Sequence, residues 1–373
     1  MAPIGARGGQ VRVVSAGNGG HGRERGRRWS RRRRCTTKCL AVRSGKHEVL
    51  APATQPGVKL NLEVLNLRAW DERGKERNSL VFLHGSYHAA WCFAENFMPY
   101  FAKEFEPNRD SYALSFLGQG ESTVPEGVRV AGTIETHAED VASFLASLDR
   151  PAVVVAHSFG GLIAQKLVSA CSQRKCGGNV AGLCLLCSVP PSGNGAMVGR
   201  FLRRTPLAAI KLSYRFATAS FTTDAEACRE CFFGDSLPQS KLLAYQSKIA
   251  TSSKIPLIDV RAVSREVPVA LGEGSTFNAP VMVVGGGQDK CVDEEGVRET
   301  AKAFGTEAVT FGDMAHDVML TRAGTGSRGS SGTGSLLTIS DPLAAHIADG
   351  RWQNSRRRRL ILSVYEAKFF FWV

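Results

Sequence analysis

Between residues 58 and 321, short apolar segments alternate with stretches of helical periodicity. The apolar segments are VKLNLEVLNL, SLVFLH, SYALSF, PAVVVAH, VAGLCLLC and PVMVVG, and turn-forming residues end most of them. The first segment alternates apolar and polar residues like a strand, and the other five are continuous apolar runs, which are typical of strands buried on both faces of a mainly parallel sheet. The alternation therefore predicts an α/β fold, with a mostly parallel sheet flanked by helices.

The formal net charge of +13 is carried by the two ends of the chain. Residues 1–46 hold 13 Lys and Arg against a single acid, and residues 322–373 have a balance of +5. The segment between them, residues 47–321, has 26 basic and 30 acidic residues. A mildly acidic folded region lacks the positive surface that binds a phosphate backbone, so we expect no nucleic acid partner.

Residues 1–46 have the composition of an organelle transit peptide, because they are rich in Arg, Gly and Ser and nearly free of acid. They contain no apolar stretch of the length that a secretory signal needs. Their weak amphipathic helical pattern favours a chloroplast over a mitochondrion. The alternative interpretation is a solvated basic arm that contacts nucleic acid.

Residues 190–275 interrupt the alternation. Two prolines and two glycines open this region, and helical patterns follow until the next strand at Val281. An insertion of this size between two strands predicts a helical cap, which leaves residues 58–189 and 276–321 as the core. We expect some apolar cap residues to form the cap's own interior and a subset to line an apolar substrate pocket. These residues include Met197, Phe201, Leu202, Leu207, Ile210, Leu212 and Phe216.

The composition changes again after residue 321. Residues 322–340 have the Gly and Ser content of a low-complexity loop, and residues 341–350 are predicted to form a final helix. Residues 351–373 combine a run of arginines with terminal aromatic residues, which indicates a poorly packed tail or, alternatively, peripheral contact with an anionic membrane. Nowhere do about 18 apolar residues run without a charge, so no transmembrane segment is expected.

Two pairs of cysteines have the CxxC spacing that zinc sites use. Cys184 and Cys187 lie in an apolar strand, where residues three apart face opposite sides of the sheet. Cys228 and Cys231 lie in a helical stretch and have no matching second pair. We therefore expect buried thiols, with neither a metal site nor structural disulfides.

The segment VVVAHSFGG carries the clearest chemical signal. A strand runs into the tight turn around Ser158, and LIAQKLV continues as an apolar-periodic helix. This pattern is typical of a nucleophile elbow, in which small residues on both sides let the turn close and expose the serine hydroxyl. Ala156 replaces the first glycine of that motif and Gly160 retains the second. Ser158 is therefore the candidate nucleophile.

A serine nucleophile needs a base within hydrogen-bond reach and an acid that orients the base. His316 follows a short strand-like segment at the sheet edge, whereas His346 lies inside the last helical stretch, so His316 is the candidate base. Asp289 follows the strand PVMVVG and is the candidate acid. Asp293 is the alternative, but it has the position of a helix N-cap.

Two backbone N–H groups are expected to stabilise an oxyanion. One belongs to Phe159, directly after the nucleophile, and the other to Ser86, in the loop that follows SLVFLH. His84 and His88 lie in the same loop, but no third metal ligand recurs near them. His84 is therefore expected to make a structural hydrogen bond.

Five segments together resemble the α/β-hydrolase superfamily, in the capped branch related to plant and algal esterase-like proteins. They are HGSYHAAWCF, FLGQGES, AHSFGG, VVGGGQD and AHDVML, and the resemblance covers about residues 58–321 with 341–350 as a final helix. HGSYHAAWCF is similar to the start of plant methylesterases and hydroxynitrile lyases. The resemblance implies Ser158 as nucleophile, Asp289 as acid, His316 as base, and no cofactor.

These observations predict a serine hydrolase that cleaves a carboxylic ester, hydrophobic or lipid-like, through an acyl-enzyme. Serine at the elbow disfavours the dehalogenase and epoxide hydrolase chemistry that members of the fold perform with aspartate. A lyase is compatible with the same fold. The alternative from another class is a ligand-binding receptor, or partner-binding protein, that keeps the pocket and turns over slowly.

Overall fold

A computed structural model describes residues 41–50, 58–69, 77–103, 109–172, 179–271 and 277–321. The predicted loop over 322–340, the final helix over 341–350 and the tail over 351–373 lie outside the described residues. So does most of the basic N-terminal segment.

Eight strands form one sheet in the order β1-β2-β4-β3-β5-β6-β7-β8. Strands β3 to β8 pair in parallel, whereas β2 pairs antiparallel with both β1 and β4. The predicted mostly parallel sheet is therefore confirmed. The strands are β1 Arg43–Leu50, β2 Lys59–Leu67, β3 Ser79–Leu83, β4 Ser111–Ser115, β5 Ala152–His157, β6 Val180–Leu186, β7 Val281–Gly286 and β8 Ala308–Phe311.

Strand β1 begins at Arg43 and so overlaps the last residues of the predicted N-terminal segment 1–46. Its residues pair along β2 from Arg43 opposite Asn66 to Leu50 opposite Lys59. The strand was missed because its only strong apolar residues are at its end. Charged side chains are common on edge strands, where they discourage pairing with another chain.

Ten α-helices and one short 3-10 helix, Ser220–Thr222, complete the described part of the chain. The α-helices are α1 Trp91–Ala94, α2 Phe97–Lys103, α3 Ile134–Ala146, α4 Phe159–Ser172, α5 Gly195–Arg204, α6 Pro206–Thr218, α7 Ala225–Phe232, α8 Gln239–Ser252, α9 Val260–Glu266 and α10 Glu294–Ala303. None of these helices is long and apolar enough to cross a membrane.

The sheet has a hydrophobic core on each face. Alternate residues of a strand point to opposite faces, so Val81 and Leu83 of β3 join one core while Leu80 and Phe82 join the other. The first core is completed by α3, α4 and α10, and the second by α1, α2, α7 and α8. This two-sided burial explains why the central strands have uninterrupted apolar sequences.

The region between β6 and β7 is helical, with α5 to α9 in sequence. Its helices α7 and α8 contribute buried residues to the second core, so this insertion is anchored to the sheet. Cys228 and Cys231 are buried in α7, and both are free thiols. Helix α6, in contrast, exposes Leu207, Ile210 and Tyr214.

Candidate active site

Ser158 lies at the sharp turn between β5 and α4. Its φ is +54°, a left-handed conformation that non-glycine residues rarely adopt. The turn needs glycine at 160, because a Cβ there would lie 2.2 Å from the carbonyl oxygen of His84. At position 156 the alanine methyl is fully buried in the first core. The loss of the first glycine of the motif is therefore tolerated.

A chain of hydrogen bonds joins the three residues that the sequence singled out. Oγ of Ser158 lies 3.1 Å from Nε2 of His316, and Nδ1 of His316 lies 2.8 Å from Oδ2 of Asp289. The three residues follow one another in the chain as serine, acid and histidine. Ser158 is 8% exposed and His316 4% exposed. This arrangement can transfer a proton from the serine hydroxyl to the imidazole while the carboxylate orients the ring.

The two candidate acids have different surroundings. The second carboxylate oxygen of Asp289 accepts hydrogen bonds from the backbone N–H groups of Cys291 and Val292, at 2.7 and 3.0 Å, which fixes its orientation. Asp293 is the N-cap of α10, where it accepts from the N–H of Gly296 at 3.0 Å. It also pairs with Arg200 through both oxygens. The carboxylate of Asp293 therefore caps α10 and pairs with Arg200, whereas Asp289 is the candidate acid that is hydrogen-bonded to His316.

The environment of His316 determines its proton affinity. Burial lowers the pKa of an imidazole, but the charge and hydrogen bond of Asp289 and the charge of Asp317 raise it, and the net shift is upward from 6.5. His316 must be neutral to accept a proton from Ser158. A base at this position would therefore begin to act above pH 6.5.

If the candidate triad hydrolyses esters, kcat/KM should rise with pH through a midpoint above 6.5, because a protonated His316 cannot accept the proton of Ser158. Initial rates measured across pH 5 to 9 at subsaturating substrate test this expectation. A midpoint below 6.5 would contradict the assigned environment of His316.

The loop after β3 approaches the serine closely. A Cβ at Gly85 would lie 2.6 Å from Cβ of Ser158 and 3.2 Å from its Oγ, so only glycine fits there. The N–H of Phe116 donates to Nε2 of His84, and Nδ1 of His84 therefore carries the proton and donates to the carbonyl of Gly85 at 2.7 Å. Burial lowers the pKa of His84 to about 3, which keeps the ring neutral.

The hydrogen bond from His84 fixes the peptide unit that carries the N–H of Ser86. In a trans peptide the C=O and N–H groups point in opposite directions. With the Gly85 carbonyl held by His84, the Ser86 N–H points away from that ring. Phe159 is the first residue of α4, and the N–H of such a residue has no acceptor within its helix. Both predicted oxyanion donors therefore lie on segments that flank Ser158.

Four buried side chains near the candidate triad were not given a role by the sequence. Nε2 of His157 donates to the carbonyl oxygen of His316 at 3.0 Å. Cys187 forms a side-chain hydrogen bond with Asp289, and burial raises the pKa of this thiol. His88 lies 2.8 Å from Asp317, which directly follows His316. The adjacency of Asp317 to the candidate base was the only sequence signal for this last pair.

Two groups of side chains have metal-ligating atoms within 4.8 Å of one another: Cys187, Asp289 and His316, and His157, His316 and Asp317. Both groups include His316, whose ring nitrogens already meet Ser158 and Asp289. A metal ion at either group would compete with those hydrogen bonds. The donor set therefore fits proton transfer better than metal binding.

Comparison with solved structures identifies the same architecture. The chain resembles a putative lipase from Acinetobacter baumannii with 18% identity and a TM-score of 0.53, covering 75% of this chain and 86% of that one. It resembles a hydrolase from Pseudomonas aeruginosa with 16% identity and the same TM-score, covering 73% and 92%. Among curated proteins, no sequence matches this chain.

The sequence itself matches a family model over residues 80–325, which spans β3 to the end of the described chain and includes every residue of the candidate triad. The resemblance to this superfamily is confirmed, while its plant and algal branch stays a prediction. The chain belongs to the alpha/beta hydrolase family.

Proposed function

We propose that the protein is a serine hydrolase that cleaves a carboxylic ester through an acyl-enzyme. The observation that carries this proposal is the hydrogen-bonded chain from Ser158 through His316 to Asp289. Family membership supports hydrolysis as the reaction class.

In the proposed mechanism, Oγ of Ser158 attacks the ester carbonyl while Nε2 of His316 takes the hydroxyl proton. The N–H groups of Ser86 and Phe159 donate to the resulting oxyanion. Collapse of this intermediate breaks the bond to the alcohol, which receives the proton from His316. Water then attacks the acyl-enzyme with His316 again as base, and the acid leaves as Ser158 regains its proton. Asp289 holds the imidazole in the tautomer that each step requires.

A hydrophobic or lipid-like substrate is the finer part of the proposal. Tyr87, which follows the proposed oxyanion donor, is flanked by rings of the helical insertion: Phe216 stacks on it at a centroid distance of 5.8 Å, and Phe221 meets it edge-on at 4.8 Å. The Tyr87 hydroxyl also donates to the carbonyl of Phe216 at 3.2 Å. An aromatic boundary beside the reacting carbonyl favours an apolar acyl or alcohol group.

The proposed substrate class is tested with p-nitrophenyl esters from acetate to dodecanoate, measured under multiple-turnover conditions. We expect sustained hydrolysis with higher kcat/KM for medium or long acyl chains than for acetate. Stoichiometric product release without further turnover would instead favour a slow-turnover receptor. A preference for acetate would remove the hydrophobic-substrate proposal and leave hydrolysis itself in place.

Replacing Phe216 by alanine is expected to change acyl preference, because the substitution removes an apolar surface beside Tyr87. We expect the octanoate-to-acetate ratio of kcat/KM to fall about tenfold, the scale of one lost apolar contact in a pocket. Leu207→Ala is the matched control, since Leu207 lies on the same helix and is 83% exposed. Equal ratios in the Phe216 variant and the wild type would locate specificity elsewhere.

We also propose that the basic N-terminal segment directs the protein to an organelle, with the chloroplast as the first choice and the mitochondrion as the alternative. Its composition supports this proposal. A fluorescent protein fused behind residues 1–46 is expected to accumulate in chloroplasts of a plant or algal cell. Diffuse cytosolic fluorescence with an uncleaved N-terminus would contradict it.

A further inference from the structure

His88 and Asp317 form a buried pair beside the candidate triad. Nε2 of His88 lies 2.8 Å from Oδ2 of Asp317, and their side chains are 1% and 0% exposed. The mechanism proposed above uses neither residue. A buried charged pair is costly to desolvate, so its presence at this position requires a reason.

The hydrogen bonds of His88 define its protonation. Nδ1 lies 3.0 Å from the carbonyl oxygen of Ser86, which can only accept, and Nε2 faces the carboxylate of Asp317. A histidine that donates from both nitrogens is an imidazolium. Burial raises the pKa of Asp317, but the charge and the hydrogen bond of His88 lower it, and the net shift is downward. The contacts of the pair thus fit an imidazolium facing a carboxylate.

The pair joins three segments of the site. Through Ser86, His88 holds the peptide unit that directly follows the proposed oxyanion donor. Asp317 is the neighbour of His316, and its backbone N–H donates to the carbonyl of Phe232, in helix α7, at 3.0 Å. The oxyanion loop, the histidine loop and the helical insertion thus meet at one ion pair.

We propose that His88 and Asp317 are positioning residues, which fix the oxyanion loop against the loop of His316 and balance each other's charge beside that histidine. This inference rests on the proposed serine hydrolase function. It assigns a role to the second histidine of the HGSYH segment and to the aspartate that follows the base.

Most of the other titratable groups near His316 and Asp317 are uncharged. Asp289 is hydrogen-bonded to His316. The ring of His157 lies 4.6 Å from that of His316, and burial lowers the pKa of His157 to about 3, so it is neutral. His84 is neutral for the same reason. Five thiols in this region have a pKa that is raised chiefly by burial: Cys92, Cys187, Cys228, Cys231 and Cys291.

Removing one member of the pair should therefore shift the titration of His316 in a direction set by the member removed. In His88→Gln the negative charge of Asp317 is no longer balanced, which stabilises protonated His316. In Asp317→Asn a negative charge beside His316 is lost, which destabilises protonated His316. A merely structural defect would not produce opposite shifts.

The test measures kcat, KM and the pH dependence of kcat/KM for both single variants and for the double variant, with p-nitrophenyl butyrate. We expect each single substitution to lower kcat about 10- to 100-fold with little change in KM, because oxyanion contacts act in the transition state. The acidic midpoint is expected to move up by about half a pH unit in His88→Gln and down by a similar amount in Asp317→Asn. The double variant should return towards the wild-type midpoint.

Asp140→Asn is the matched control, because Asp140 is also buried and lies 3.9 Å from a buried histidine, His137, on helix α3. Its kcat and acidic midpoint should equal those of the wild type. The double variant retains no unpaired buried charge and serves as the test if a single variant fails to fold. Wild-type kcat in that variant, or equal midpoints in folded single variants, would overturn the inference.

Labelling of Ser158 by a fluorophosphonate separates this inference from the proposed function. A wild-type protein that neither reacts with the probe nor hydrolyses esters would contradict the proposed function. The wild type could react with the probe while the His88 and Asp317 variants keep its kcat and the acidic midpoint of its kcat/KM. That result would contradict only the proposed role of His88 and Asp317.

Discussion

Ser158→Ala is expected to reduce kcat for ester hydrolysis on the order of a million-fold, to the residual rate that binding and oxyanion contacts provide. The substitution removes the atom that is proposed to form the acyl-enzyme and leaves His316 and Asp289 in place. The stability of the fold should change by only about 1 kcal/mol, because one hydrogen bond of the hydroxyl is lost.

Steady-state rates and thermal unfolding of the same preparation measure both expectations. A folded Ser158→Ala variant that retains wild-type turnover would contradict the nucleophile assignment. Ser188→Ala is a useful control, since Ser188 is also a buried serine, but its hydroxyl bonds to the backbone of Val189 and to Gln165. We expect that variant to retain measurable hydrolysis.

Asp289→Asn should lower kcat about 10⁴-fold, whereas Asp293→Asn should leave it within a few fold of the wild type. An asparagine at 289 offers an amide N–H to His316 and favours the tautomer that cannot accept a proton from Ser158. At 293, asparagine is still a good N-cap, and only the partly exposed ion pair with Arg200 is weakened.

Rates of the two asparagine variants on one ester, under identical conditions, measure this difference. The reverse order of rates would transfer the role of the acid to Asp293. Equal and small effects would mean that neither carboxylate orients His316. Either outcome would leave the family assignment unchanged.

The sequence predicted the central sheet and the candidate triad because both depend on local patterns. Apolar alternation predicted β2, and uninterrupted apolar runs predicted β3 to β7, since burial on both faces permits no polar alternation. A strand ends directly before Ser158 and an amphipathic helix begins directly after it. The chain must therefore make a tight turn at Ser158, and this turn can be predicted from the local sequence. Asp289 and His316 were identified because each follows a short strand at the same edge of the sheet.

Contacts between distant segments could not be predicted in this way. His88 and Asp317 are separated by 229 positions, and neither has a local pattern that indicates an ion pair. Strand β1 was missed because an edge strand needs little apolar sequence. The apolar residues of the insertion also differ in ways that periodicity does not show, since Met197 is buried while Leu207 is 83% exposed.

The central claim is that Ser158 forms a covalent acyl-enzyme, and direct detection of that intermediate tests it best. The purified protein is mixed with p-nitrophenyl octanoate, quenched in acid within milliseconds to seconds, digested and analysed by mass spectrometry. We predict an octanoyl group on the peptide that contains Ser158, with an initial burst of p-nitrophenol if deacylation is the slower step. An octanoyl group on another residue during turnover would contradict the account, as would steady hydrolysis by Ser158→Ala.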